Sequence, residues 1–206
     1  MRQNLLDWIS GAMTDATSAV VLTHNIDFLF VQSILQPKLR LSGSPKLTIF
    51  ADAGCAAGTF EQQRKFLYGL GRSYRVVAVD MGVGRRFHPK AILLSGPTKG
   101  ALAVGSGNLT HGGLSANQEI WTTFETDGDD GGEISAFREY LETVRSLSGD
   151  DEAVRGDLAE AFDADEYPWV AELHEPSGIL GAPNAHSILD RMIDQAGDDV
   201  QSTGVH

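Results

Sequence analysis

Three short runs decide the fold: Ala19-Val20-Val21-Leu22-Thr23, Lys46-Leu47-Thr48-Ile49-Phe50 and Arg75-Val76-Val77-Ala78-Val79. Each is apolar and β-branched, the pattern of a strand buried on both faces. Helical segments separate them. His24-Asn25-Ile26-Asp27 leads into a helix that runs to about Gln36, where Pro37 is expected to end it. A second helix is expected from about Thr59 to Leu70, with Thr59 as N-cap, Gln62 three residues on and Gly71 as the stop. The order β-α-β-α-β predicts parallel strands with helices on the faces of the sheet.

Beyond residue 80 the pattern changes. His88–Ser95, Ala101–Gly105 and Glu119–Phe124 are strand candidates with no helix between them, and Gly96-Pro97-Thr98-Lys99-Gly100 is a turn that makes the first two a hairpin. The fold class expected is therefore α/β, with a mixed, largely parallel sheet flanked by helices and a helical, acidic C-terminal segment. A short amphipathic helix over residues 1–13 precedes the sheet. Ile134–Leu147 and Ala153–Phe162 follow as helices, and Asn184–Gln195 is expected to be helical too. The domain reading is residues 1–148 as the catalytic unit and 149–206 as an acidic extension, possible start of a truncated second region. Ser33-Ile34-Leu35 is echoed by Ser187-Ile188-Leu189, a short match that would fit such a repeat.

The chain has 206 residues and a formal charge of −12. Its 42% apolar and 21% charged content is that of a globular protein, which excludes disordered, collagen-like and coiled-coil classes. The acidity is not spread evenly. Residues 1–126 hold 12 Lys and Arg against 8 Asp and Glu, whereas residues 127–206 hold 4 against 20. A mildly basic region thus precedes an acidic one, whose runs Asp127–Asp130 and Asp150–Glu152 are most simply solvated loops; a sharper reading has the acidic segment cover the basic face and restrain activity. Cys55 is the only cysteine, which excludes an intramolecular disulfide and a cysteine-built zinc site. No apolar run is long enough to span a bilayer and none resembles a secretory leader, so a cytoplasmic location and no membrane partner are expected.

The residues that carry chemistry fall between 85 and 121. In an extended chain His88 and Lys90 share one face. An imidazole beside an ammonium suits a phosphoryl group, because one attacks or protonates and the other neutralises a phosphate oxygen. Ser106 and Asn108 also share a face and end the partner strand of the hairpin. Gly105 and Gly107 would let backbone approach a ligand. Glu119 is expected to accept from Nδ1 of His88 and fix its tautomer. Arg85, Arg86 and His111 are candidate nucleic-acid contacts, with Arg72 and Arg75 near in sequence. His24 sits at a strand end, where parallel sheets place ligands. No cofactor and no metal cluster is expected.

His88-x-Lys90, then Gly105-Ser106-Gly107-Asn108-Leu109-Thr110, Gly113-Leu114 and Asn117-x-Glu119 resemble the phospholipase D superfamily, and more narrowly its nuclease-like branch. The likeness covers residues 85–121 and leaves 130–206 unaccounted for. It implies a phosphodiesterase in which His88 forms a covalent phosphohistidine, a second His protonates the leaving oxygen, Lys90 and Asn108 stabilise phosphate oxygens, and Ser106 positions them, without a metal. The family's fuller signature has an Asp separated from the Lys by four residues. Ser95 stands there, which shifts weight from lipid hydrolysis towards a nuclease. The family needs two His-x-Lys motifs and this chain has one, so a homodimer completing the site is expected, ahead of a second half in a longer chain. The activity expected is a metal-independent DNA nuclease, of a restriction, anti-phage or repair system. The alternatives are a non-catalytic nucleic-acid-binding or dimerisation module of the same fold, and a phospholipase D-type lipid hydrolase.

Each residue also has a plainer role. A single His on a strand edge is more often structural than nucleophilic, and Arg85 and Arg86 alone would make an ordinary solvated charge cluster. The coincidence of four residue types at family spacing is what favours function.

Overall fold

A computed structural model describes residues 4–127, 131–149 and 151–173. The expected helix over 184–195 and the echo at 187–189 lie outside the described residues. Six strands form one sheet: β1 Ser18–Thr23, β2 Lys46–Asp52, β3 Tyr74–Val79, β4 Ala91–Ser95, β5 Gly100–Gly105 and β6 Trp121–Glu125, in the order β3-β2-β1-β4-β5-β6. β3, β2 and β1 are parallel, and β4, β5 and β6 join antiparallel. The mixed α/β sheet read from the sequence is present, but it is not largely parallel: two of its five strand pairings are parallel and three antiparallel, because the chain after β3 returns as hairpins rather than through crossover helices. The turn at 96–99 closes on a Gly96 N–H to Lys99 carbonyl bond of 3.2 Å.

Both faces are covered, and the strand period assigns residues to them. Val21, Ile49, Ile92 and Leu94 face α1 (Leu5–Gly11) and the helical rod over residues 28–41. Val20, Leu22, Phe50 and Leu93 face α5 (Gly131–Leu147), α6 (Glu152–Ala161) and α7 (Pro168–Ala171). Val154, Leu158 and Trp169, all within the expected acidic extension, thus belong to the second core cluster together with sheet residues.

Three helix limits differ from expectation, one being the end of the second helix, which stops at Gln63 and passes into a 3-10 turn, Arg64–Phe66, short of Leu70. Pro37 does not end its helix. α2 (Phe28–Phe30) passes through a π-helical turn, Val31–Leu35, into α3 (Gln36–Leu41), with Gln36 N–H bonded to the Val31 carbonyl. The widened turn accommodates a residue that lacks an N–H and would otherwise clash with the preceding turn. α4 runs Ala53–Gln63, starting six residues before Thr59, because Asp52 is the N-cap and accepts from Cys55 N. Two strand limits also move. β4 begins at Ala91, since Pro89 has no N–H for the ladder, so His88 and Lys90 lie on its extended approach. β6 begins at Trp121, leaving Glu119 in the turn before it.

Candidate active site

β1 and β4 are antiparallel with Leu22 opposite Ala91, so the exit of β1 and the entry of β4 meet at one edge of the sheet. His24 leaves β1 there and His88 arrives there. Their rings lie 4.5 Å apart between centroids, tilted by 38°. The Lys90 ammonium is 2.6 Å from Nδ1 and 3.1 Å from Nε2 of His88, and donates to the His88 carbonyl at 2.9 Å. Lys90 is buried at 7% exposure, whereas His88 faces solvent. An accessible imidazole therefore sits on a buried cation.

The electrostatics follow from that arrangement. Burial, then the Lys90 charge, then His24, hold the His88 pKa below that of an ordinary histidine. The neutral ring, the form with a free nitrogen lone pair, is favoured. Burial also holds the Lys90 ammonium below the usual lysine range, with the Glu119 carboxylate opposing.

Asp52 anchors the approach strand from below. One carboxylate oxygen accepts from Cys55 N at 3.1 Å and the other from Phe87 N at 3.0 Å. Burial pushes its pKa up, but these two backbone donors with His24 and Arg86 outweigh it, so the acid is held below its usual range. Phe87 is itself buried, and its carbonyl lies 3.0 Å from Nδ1 of His24. Asp52 thus places the residue before His88, and Phe87 places His24.

The loop carrying Ser106 and Asn108 is stitched to the exit of β1. Buried Thr23 accepts from Leu109 N at 2.9 Å and donates to the Asn25 carbonyl at 2.8 Å. The Asn108 amide oxygen accepts from Asn25 N at 3.2 Å. Gly105 and Gly107 are required by the chain's own backbone. A Cβ at Gly107 would lie 2.1 Å from the Gly113 carbonyl oxygen, and one at Gly105 2.3 Å from that of Ile120.

Glu119 differs from expectation as well. Its carboxylate accepts from Ser106 Oγ at 2.5 Å and from Asn117 Nδ2 at 3.3 Å, whereas the His88 ring nitrogens face Lys90. It is partly exposed because it lies before the ladder begins. The bonds from Ser106 and Asn117 hold its pKa low. Its field reaches Lys90, so it acts on the cation and the serine rather than orienting the imidazole.

Of the expected nucleic-acid contacts, Arg85 and Arg86 are exposed next to His88, and Arg86 lies 3.9 Å from Asp52. His111 is exposed, edge-on to Phe30 with centroids 6.4 Å apart. Arg75 is engaged elsewhere: it pairs with buried Asp157 at 2.8 Å, at the end of the strand remote from Val79 and Asp52. Lys46 joins the same pair at 2.6 Å and reaches Glu160 at 3.1 Å. Among the described residues, these two acids neutralise Lys46 and Arg75 at the far end of the sheet.

One grouping was missed from the sequence. His24, Asp52 and Cys55 offer nitrogen, oxygen and sulfur atoms all within 4.8 Å of one another. The available signal was positional: two of the three flank the ends of adjacent parallel strands.

No family model matches this chain, and no curated protein matches it. Solved structures do. Yeast tyrosyl-DNA phosphodiesterase matches with a TM-score of 0.47 and 14% identity over 74% of this chain and 37% of that enzyme. NucT from Helicobacter pylori matches with a TM-score of 0.47 and 15% identity over 69% of this chain and 87% of that one. Polyphosphate kinase from Porphyromonas gingivalis matches with a TM-score of 0.41 and 15% identity, over 72% and 24%. The chain spans little more than a third of the yeast enzyme. Among the described residues, no helix is long and apolar enough to cross a membrane.

Proposed function

We propose that this chain is a phosphodiesterase, a DNA nuclease that cleaves through a covalent phosphohistidine on His88. The observation that carries the reading is the exposed His88 imidazole against the buried Lys90 ammonium, 2.6 Å away. The neutral ring attacks phosphorus. The N–P bond forms, the P–O bond to the leaving strand breaks, and the leaving oxygen takes a proton from a second imidazole. Water then attacks the phosphohistidine and restores the ring. Lys90 supplies fixed positive charge where negative charge builds on the phosphate oxygens, and Asn108 is a second stabilising group for them. Ser106, braced by Glu119, positions the phosphate. Arg85, Arg86 and His111 meet the flanking nucleic-acid backbone.

We place the second imidazole on His88 of a second copy in a two-fold dimer, ahead of a second half-site in a longer chain; the residues given carry one His-x-Lys. A place in restriction, anti-phage defence or repair extends the same family-level reading.

The test is cleavage of duplex and single-stranded DNA in EDTA by wild type, His88→Ala and Lys90→Ala. Cleavage in chelator is expected, falling about 10⁴-fold or more in His88→Ala and about 10²–10³-fold in Lys90→Ala. Acid-quenched wild type should carry substrate phosphate on His88. Undiminished cleavage by His88→Ala, or DNA binding without cleavage in wild type, refutes the assignment.

A further inference from the structure

The trio His24, Asp52 and Cys55 touches no reacting atom in the reaction above, which Asp52 serves only by anchoring Phe87. Its geometry is not that of a chance contact. Nδ1 of His24 lies 3.0 Å from the Phe87 carbonyl oxygen. A carbonyl only accepts, so Nδ1 carries the hydrogen and the lone pair of the neutral ring is on Nε2. That nitrogen faces Cys55 Sγ at 3.5 Å. With metal–nitrogen and metal–sulfur lengths of about 2.0 and 2.3 Å, the N···S edge of a tetrahedral shell is about 3.5 Å. The two donors already stand at the spacing one ion requires. The Phe87 carbonyl provides the outer-shell hydrogen bond that metal-bound histidines use to fix their orientation.

Asp52 contributes the third donor. Its carboxylate is 4% exposed and accepts from Cys55 N on one oxygen, from Phe87 N on the other, and from the Cys55 thiol. A carboxylate offers about four such positions, so lone pairs remain. The ligand atoms of the three residues lie within 4.8 Å of one another, and the weak contact of Asp52 to Arg86 at 3.9 Å is the one an incoming cation displaces. Three elements supply the set: the exit of β1, the end of β2 and the first turn of α4.

We propose that His24, Asp52 and Cys55 form a binding site for a borderline-soft divalent ion of the zinc class. An N, O, S donor set favours zinc over magnesium or calcium, which take oxygen shells. Binding converts the Cys55 thiol to a thiolate, forms the metal–sulfur bond and releases one proton to solvent. The fourth position goes to water or to the His88 imidazole, whose ring centroid lies 4.5 Å from that of His24. The site does not depend on His88 being a nucleophile.

The experiment is a cobalt(II) titration of the full chain followed by absorption, with zinc(II) added afterwards. Wild type is expected to bind one ion, with a thiolate-to-cobalt charge-transfer band and visible bands of tetrahedral cobalt, both abolished by zinc. Cys55→Ser and Cys55→Ala should lose the charge-transfer band, and His24→Ala should bind about 100-fold or more weakly. Circular dichroism on each variant checks that it is folded. An octahedral spectrum without a sulfur band, or the same affinity in Cys55→Ala, overturns the site. Absence of DNA cleavage would overturn the proposed function and leave this titration unaffected.

Discussion

Truncating Asp157 tests whether the acidic helix α6 is part of the domain that bears the site. Its carboxylate is 4% exposed and accepts from Lys46, Thr48 and Arg75 at 2.6–2.8 Å. Asp157→Ala leaves the buried Thr48 hydroxyl without its acceptor, at about 1–3 kcal/mol. The two cations are 51% and 38% exposed and regain water, so each lost pair adds only about 0–1 kcal/mol. The expected destabilisation is about 3 kcal/mol, or a fall of about 6–12 °C in Tm for a chain of this length. Asp157→Asn, which keeps an acceptor for Thr48, should lose about half as much, and exposed Glu160→Gln under about 1 kcal/mol. Burial raises the Asp157 pKa, but Lys46, Thr48 and Arg75 outweigh it and leave the folded value depressed. A depressed acid contributes stability above its unfolded pKa of about 3.9, lost as pH falls through the folded value. The gap between wild type and Asp157→Asn should therefore be full at neutral pH and shrink in acid. Differential scanning calorimetry across pH measures both. A Tm change within about 1 °C for Asp157→Ala, or a gap that does not shrink in acid, refutes the reasoning.

Gly107→Ala should cost several kcal/mol or fail to fold, since its Cβ would lie 2.1 Å from a backbone oxygen, whereas open Gly58→Ala should be neutral or stabilising by up to about 1 kcal/mol; urea unfolding separates them. Leu93→Ala, fully buried in the central strand pair, should cost about 2–5 kcal/mol by the same assay. Asp52→Asn should lower cleavage by disturbing the Phe87 anchor while leaving DNA affinity within about threefold; fluorescence anisotropy beside the cleavage assay reads the split. Cleavage rate should rise with the square of protein concentration below the dimer dissociation constant, and a rate per chain that is constant on dilution excludes a site shared between copies.

The strands were legible because runs such as Ala19–Thr23 have few other uses for so many β-branched residues. The start of α4 was not. Its first turns hold Gly54 and Gly58 among alanines, weak evidence for a helix, and its cap Asp52 reads as the last residue of a strand. The proximity of His88 and Lys90 was legible at a spacing of two. The partners of Glu119 were not, because Ser106 reaches it only through the β5–β6 register, fixed in three dimensions. The meeting of His24 with Cys55 and His88 was hidden for the same reason, across more than sixty residues of sequence in the second case.

The antiparallel junction of β1 with β4 also sets when the site comes into being. A growing chain that has reached Val79 holds β1, β2 and β3 and can complete their parallel pairing, with His24 and Asp52 in place and neither His88 nor Lys90 yet made. His88 and Lys90 join His24 only when β4 adds to the free side of β1, a long-range step that follows the local helices. On the proposed function, a product truncated before residue 88 would lack both the nucleophile and its cation however well its first half folds.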